Sequence, residues 1–372
     1  MIQSESNLID EEFKIWKKNV KYMYDLVFTQ ALKWPSTSIQ WFPEIERENN
    51  CATKQRVLLS TFTSQMETEN ILIGCFTFPD TADDTPTSNA IKFSITQSIP
   101  VKTEINKSRY CPQATNLIAL KTEESEILIY DTTKHSSFGE TEDEPDACLS
   151  GHTAGGFAMD WNKNNFGQIV SGGQDRTICV FDINTGLIHS YNKTHSDIIN
   201  DISYNAFNPN IFASVSDDMK LCITDIRKEN DVATVTKAHQ SSIEAVDFSP
   251  FRSELVSTSG SDNVVKIWDT RYLDSPLFIL EGHQNDVMQV KWSPHYESVL
   301  ASSSKDRRVI MWDLNKNTQV SGDSSNETLF VHGGHTNTVS DFDWNPAEPI
   351  EIASVDDSNF LHVWKIPIEE YV

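Results

Sequence analysis

Histidine, aspartate and serine recur together along this chain, and those types can form a nucleophile, its general base and an orienting acid. His152, His195, His239, His283 and His335 each open a segment whose closing position lies 29 residues later, at Phe181, Thr224, Trp268, Trp312 and Trp364. Asp175, Asp218, Asp262 and Asp306 stand six residues before the closing positions of their segments. A hydrolytic centre is needed once, whereas this set returns in segment after segment. Repetition therefore assigns it to structure. An Asp at a tight turn accepts from its own backbone and from the opening His, while the His reaches a strand hydroxyl and the indole of the closing Trp. The expected network pairs His152 with Asp175, His195 with Asp218, His239 with Asp262 and His283 with Asp306, with Trp312 as the indole donor of its segment. Segments that break the pattern are expected to be weaker: Thr224 replaces the aromatic, Ser358 takes the Asp place and Val101 the His place. One opening His per segment puts these rings on different elements, so no metal centre is expected. No H-E-x-x-H, G-x-S-x-G, phosphate-loop or dinucleotide glycine pattern occurs. No catalytic residue and no cofactor are expected.

The elements that hold these residues follow from the same register. Gly282–Leu314 shows the unit most fully: a Gly-His, an alternating run to Trp292, a second run from Val299 to Ser303, a turn at Asp306 and a third run ending in Trp312-Asp313. An aromatic sits nine residues after each opening His, at Trp161, Tyr204, Phe248, Trp292 and Trp344. A sixth copy runs from Val101 through Tyr110 to Tyr130, and Arg56–Phe62 and Asn70–Phe78 read as strands of a seventh, worn copy. A period of this kind marks a radial or stacked array. The fold class expected is all-β, a seven-bladed β-propeller with an N-terminal α-helix packed on its side. Residues 1–33 are assigned to the helix and 34–372 to the propeller, with the strand 37–42 closing the last blade. The helix is read from Asp10 to about Thr29, where Phe13, Trp16, Val20, Met23 and Val27 make one apolar stripe. A second stripe, Ile15, Tyr22 and Leu26, is wider than docking on the propeller requires and suits a partner.

Lys plus Arg number 30 against 54 Asp plus Glu, a formal net charge of -24. That field favours basic partners and disfavours nucleic-acid phosphates and anionic lipid. Six cysteines without a C-x-x-C pair read as free thiols of a reducing compartment. Acids stand where a signal peptide needs a basic and then an apolar run, and no apolar run approaches the ~20 residues of a membrane span. A soluble intracellular protein is expected. Positions three and five after each segment opening face one mouth of the central channel. They bring Glu104, Asn106, Phe157, Asn200, Glu244 and Asp286 to that mouth, and Asp217 and Asp357 sit beside the turn aspartates. This rim suits an extended basic peptide.

Phe13–Leu26 (FKIWKKNVKYMYDL), Leu32–Ser36 (LKWPS), Arg109–Gln113 (RYCPQ), Gln289–His295 (QVKWSPH) and the run from His332 to Pro346 carry a family likeness. They resemble the WD-repeat histone-binding proteins related to the retinoblastoma-binding chaperones. The resemblance covers nearly the whole chain and implies two surfaces. One takes the first helix of histone H4 between the N-terminal helix and the loop before the last blade; it maps to Tyr22, Met23, Leu26, Val27, Asp323, Phe330 and Val331. The other takes the histone H3 tail at the channel mouth, where Gly155 and Asn200 stand in place of acids common in relatives. His195–Ser203 and Arg307–Leu314 look like the non-catalytic component of a type B histone acetyltransferase, and Arg56–Ser64 like the small component of chromatin assembly factor. The balance implies a non-catalytic scaffold that presents H3–H4 to a catalytic acetyltransferase subunit. Partnership with the large subunits of the assembly factor, or a generic peptide adaptor, is the alternative.

Overall fold

In the computed structural model, residues 2–48, 52–79, 91–139, 142–228, 235–318 and 327–367 are described. The alternating runs form seven four-stranded antiparallel sheets. Their innermost strands touch in a closed ring. In blades 1 to 7 they are Ser36–Glu48, Ile105–Cys111, Met159–Trp161, Ile199–Tyr204, Ile243–Phe248, Val287–Trp292 and Val339–Trp344. Apolar residues of successive sheets interleave into seam clusters, such as Leu300, Ile310 and Trp312 with Val265 and Ile267. Inner strands are also stitched around the ring by side chains that accept the next blade's amides. Asp160 takes Tyr204 N at 2.7 Å, Asp247 takes Trp292 N at 2.9 Å, and Asp343 takes Trp41 N at 2.9 Å. These bonds satisfy amides that the inward-facing edge of each sheet leaves unpaired.

Two expectations about the N-terminus are corrected. The helix, α1, spans Ile2–Met23 and does not reach Thr29. Leu26–Ala31 is a strand, β1, paired with Phe360–Lys365 as the outermost strand of blade 7. It is therefore β1, not 37–42, that closes the ring; Ser36–Glu48, β2, is the innermost strand of blade 1. The physical reason lies in the exposed edge of Phe360–Lys365, which needs a partner along its length. Tyr24 N still bonds Val20 O at 3.1 Å, but Asp25 N already bonds Lys365 O at 2.9 Å, so the chain changes ladder within one residue. Leu26 and Phe28 then alternate into the core, as an edge strand packed on one face demands.

The repeated histidines behave as read. His152, His195, His239 and His283 place Nδ1 at 3.2, 3.1, 2.8 and 2.9 Å from Asp175, Asp218, Asp262 and Asp306. Their Nε2 atoms meet Ser171, Ser214, Thr258 and Ser302. Trp312 donates to Ser302 Oγ at 2.8 Å. Burial pushes the four carboxyls up, yet hydrogen bonds from the histidines and from turn amides overcome it and hold them below the usual carboxylate range. The last blade departs from expectation. Ser358 stands in the Asp place, but Asp356 reaches His335 Nδ1 at 2.8 Å, so the bond is made from two residues earlier.

A candidate channel mouth and helix groove

The mouth on the histidine side of the propeller opens into a cavity of about 520 Å³. Glu104, Asn106, Phe157, Asn200, Glu244 and Asp357 line it together, six of the eight residues read for that rim, and Asp217 stands behind Asn200 rather than in the lining. Their orientation is fixed by repeated contacts. Asn106 Nδ2 donates to Gly156 O at 3.0 Å and Glu123 Oε1 at 3.2 Å. Asn200 Nδ2 donates to Ile243 O at 3.0 Å and Asp217 Oδ1 at 2.7 Å. Ser242 and Ser261 both donate to Glu244 Oε1, and Ser340 to Asp357 Oδ1. Asp286 does not line the cavity; its carboxylate is paired with Lys305 Nζ at 2.8 Å. Partial burial, then the neighbouring Glu123 and Glu69, raises the Glu104 carboxyl above its ordinary value. A cation brought here relieves that repulsion. Below the mouth the channel carries ion pairs of its own, Lys107 with Asp201 at 2.6 Å and Arg109 with Asp341 at 2.9 Å. Those cations are matched inside the channel, so the acids of the rim are left to face solvent.

The helix lies against blades 6 and 7. Trp16 is buried while Phe13, Val20 and Met23 are half-buried beside it. Gly334 lets the indole approach, since a Cβ there would stand 2.5 Å from the Trp16 ring. Glu12 receives Arg307 Nη2 at 2.8 Å, which ties the helix to blade 6. The opposite edge is left to solvent: Ile15 is 59% and Tyr22 72% exposed. A second cavity of about 740 Å³ runs along the other flank of the helix, where Phe13, Lys17 and Val20 face Val27 and Phe360.

A family profile that describes the histone-binding protein RBBP4 and its counterpart in the CAF1 complex matches residues 11–80, which hold most of the helix, β1 and much of blade 1. WD domain, G-beta repeats match residues 143–182 and 326–365, and a profile described as the EIPR1 beta-propeller matches 190–312. Histone acetyltransferase type B subunit 2 of Encephalitozoon cuniculi (strain GB-M1) is 48% identical over 380 residues, covering 98% of this chain and 98% of the relative. The chain belongs to the histone acetyltransferase type B subunit 2 family. A further member, from Schizosaccharomyces pombe (strain 972 / ATCC 24843), is 42% identical over 386 residues, covering 96% of this chain and 90% of the relative.

In this type B subunit 2 family member the residues read for a helix groove are only partly brought together. Met23, Val27 and Phe330 share one apolar cluster with Trp16 and Tyr24. Tyr22 stands in solvent beside them. Leu26 and Val27, read as helical, belong to β1, and Leu26 packs into the neighbouring seam. Phe330 is core, 5.1 Å from the Tyr24 ring, and Val331 packs toward blades 5 and 6. Asp323 lies outside the described residues. Sequence reasoning missed Glu123, which lines the mouth. The signal for it was present: Glu123 stands 22 residues after Val101, as Asp217 and Asp357 stand after His195 and His335. The reading that one histidine per segment excludes convergence is also corrected, because His332, His335 and His362 lie together, buried beneath the helix.

Proposed function

We propose that this chain is the histone-holding subunit of a type B histone acetyltransferase, with the chemistry carried out by a separate catalytic subunit. The first helix of H4 would lie against the solvent edge of α1, reading Ile15 and Tyr22 through apolar contact, with half-buried Met23 at the border. The H3 tail would reach the channel mouth, where Glu104, Glu244 and Asp357 accept its cationic side chains and Phe157 offers an aromatic face. The observation that carries the reading is the bare Ile15 and Tyr22 edge on a helix otherwise anchored by Trp16 and Glu12. A formal net charge of -24 supports a basic partner. The test is recovery of H3–H4 by the full chain and by Tyr22→Glu. The variant is expected to lose binding about tenfold or more, because a carboxylate then faces an apolar helix. Equal recovery would remove the helix edge from the account. The profile that spans the helix also names the CAF1 complex, which keeps a role with the large subunits of chromatin assembly factor as the second reading. The large subunits that co-purify with the chain, and whether they come from nuclear or cytoplasmic extract, separate the two.

A further inference from the structure

Beneath the helix runs an unbroken line of hydrogen bonds from α1 into blade 7. Trp16 Nε1 donates to Tyr24 Oη at 3.0 Å, which leaves the tyrosine proton for His332 Nδ1 at 2.9 Å. His332 Nε2 then meets His362 Nδ1 at 3.1 Å. Each proton is used once only if both imidazoles are neutral. Aromatic contacts lock the geometry: His332 is stacked on Trp364 at 4.6 Å and His362 on His335 at 4.1 Å. The three histidines offer ligand atoms within 4.8 Å of one another, but this is not the arrangement of a metal centre. His335 and His362 lie 17° from parallel, so their in-plane lone pairs do not converge, and both His335 nitrogens are bound, to Asp356 and Ser354.

We propose that His332 and His362 form a proton-sensitive latch that holds α1 against blade 7 while both rings are neutral and lets it go when either is protonated. A proton on His362 Nδ1 would either set two N–H groups against each other across the 3.1 Å contact or force His332 into its other tautomer, which leaves the Tyr24 hydroxyl without its acceptor. One on His332 Nδ1 would turn that nitrogen into a donor and leave the Tyr24 hydroxyl without its acceptor. Among the described residues no carboxylate hydrogen-bonds to either ring. On blade 7, Asp356 is bound to His335. On the helix, Glu12 is bound to Arg307, and Asp10 and Lys17, which line the adjoining cavity with His362, oppose each other in sign. On β1 the residue paired with His362 is the uncharged Thr29. On blade 6 the neighbour of Tyr24 is Phe330.

Burial, followed by the adjacent imidazoles, holds both rings well below the ordinary value of 6.5. The docked helix therefore binds fewer protons than the released one. Attachment is complete above about pH 6.5 and weakens as pH falls below it, by up to about tenfold per pH unit for each ring. The consequence for histone capture rests on the groove reading above; the latch itself does not.

Amide hydrogen exchange of residues 9–23 in the full chain, expressed as protection factors, tests it at about pH 7.5 and about pH 5.5 without histone. In the wild type, helix protection is expected to fall between about tenfold and about a hundredfold, while the blade 6 strand Val299–Ser304 keeps its protection. His362→Gln keeps a donor and an acceptor without titrating, and should reduce the fall by about tenfold. Unchanged helix protection in the wild type, an equal fall in Val299–Ser304, or a variant as pH-sensitive as the wild type would each overturn the latch. The wild-type comparison of helix with strand decides the matter even if the variant does not fold. Binding of an H4 fragment carrying its first helix is read in parallel. Loss at low pH in the wild type but not in His362→Gln extends the latch to the groove. Failure to bind at either pH counts against the groove and leaves the exchange result standing.

Discussion

His283 in blade 6 and His335 in blade 7 occupy the same place in the repeat and make the same pair of bonds, one to a carboxylate and one to a serine. Around His283 the device ends there, with Trp312 as its neighbour. Around His335 it is the first of three stacked or hydrogen-bonded imidazoles, and the chain of contacts runs on through Tyr24 to the helix. The difference teaches what a repeat leaves free. A blade between two blades needs only to satisfy its own buried groups. The blade where the ring closes must also hold β1 and α1, and it does so with His362 of its own and His332 from the outermost strand of blade 6.

That contrast can be broken by removing the carboxylate from each device. Asp356 is wholly inaccessible and accepts from His335, Ser358 N and Phe360 N. Its replacement by Ala is expected to cost about 3 kcal/mol in denaturant unfolding, since the buried His335 and two amides nearer to solvent lose their acceptor. Asp306→Ala leaves His283, Gln284 N and Arg308 N unpaired nearer to solvent, at about 1–3 kcal/mol. Asp356→Ala should in addition lower helix protection, and Asp306→Ala should not; the same response from both would erase the distinction.

A smaller effect separates the blades by pH. Blade 7 buries Glu351 where blade 6 has Val299, the carboxylate meeting Asn345 Nδ2 at 2.6 Å beside Gln55. Burial pushes its carboxyl up to about 7, against the Asn345 hydrogen bond. A carboxyl raised in the folded state favours folding most while protonated, so its contribution declines as pH rises from about 4.5 to about 7. Glu351→Gln should therefore stabilise the chain by about 1–2 kcal/mol at about pH 8 and change little near pH 5. A gain that is equal at both pH values would show that the charge is not the cause.

The repeat register made blades 2 to 7 and most of the channel mouth legible, because inward and outward positions recur at fixed offsets. Glu123 escaped only because its segment opens on Val101, which hides the register. The helix end was illegible for a different reason. Val20, Met23 and Val27 keep helical spacing while Leu26, Val27 and Phe28 also alternate, and local pattern cannot choose between the two. The choice is made by the bare edge of Phe360–Lys365 at the far end of the chain. The histidine cluster had no sequence signal beyond His335, since Tyr24, His332 and His362 meet only once the ring has closed.

Blade 4 offers the finest test of what each device contributes. Thr224 takes the place that Trp312 holds in blade 6, and it is buried with no hydrogen-bond partner for its hydroxyl among the described residues. In blade 6 the indole donates to Ser302, which also meets the histidine. In blade 4, Ser214 meets His195 without such a donor, so the device is complete on the carboxylate side and bare on the aromatic side. Thr224→Val keeps the shape and removes the unpaired hydroxyl, and should raise stability by up to about 1 kcal/mol. Trp312→Phe removes a bond that is made, and should lower it by about 1 kcal/mol or more. Opposite signs in denaturant unfolding would show that the aromatic position works through its hydrogen bond as well as its bulk. A loss on Thr224→Val would mean that its hydroxyl is held after all, and that blade 4 has its own way of completing the repeat.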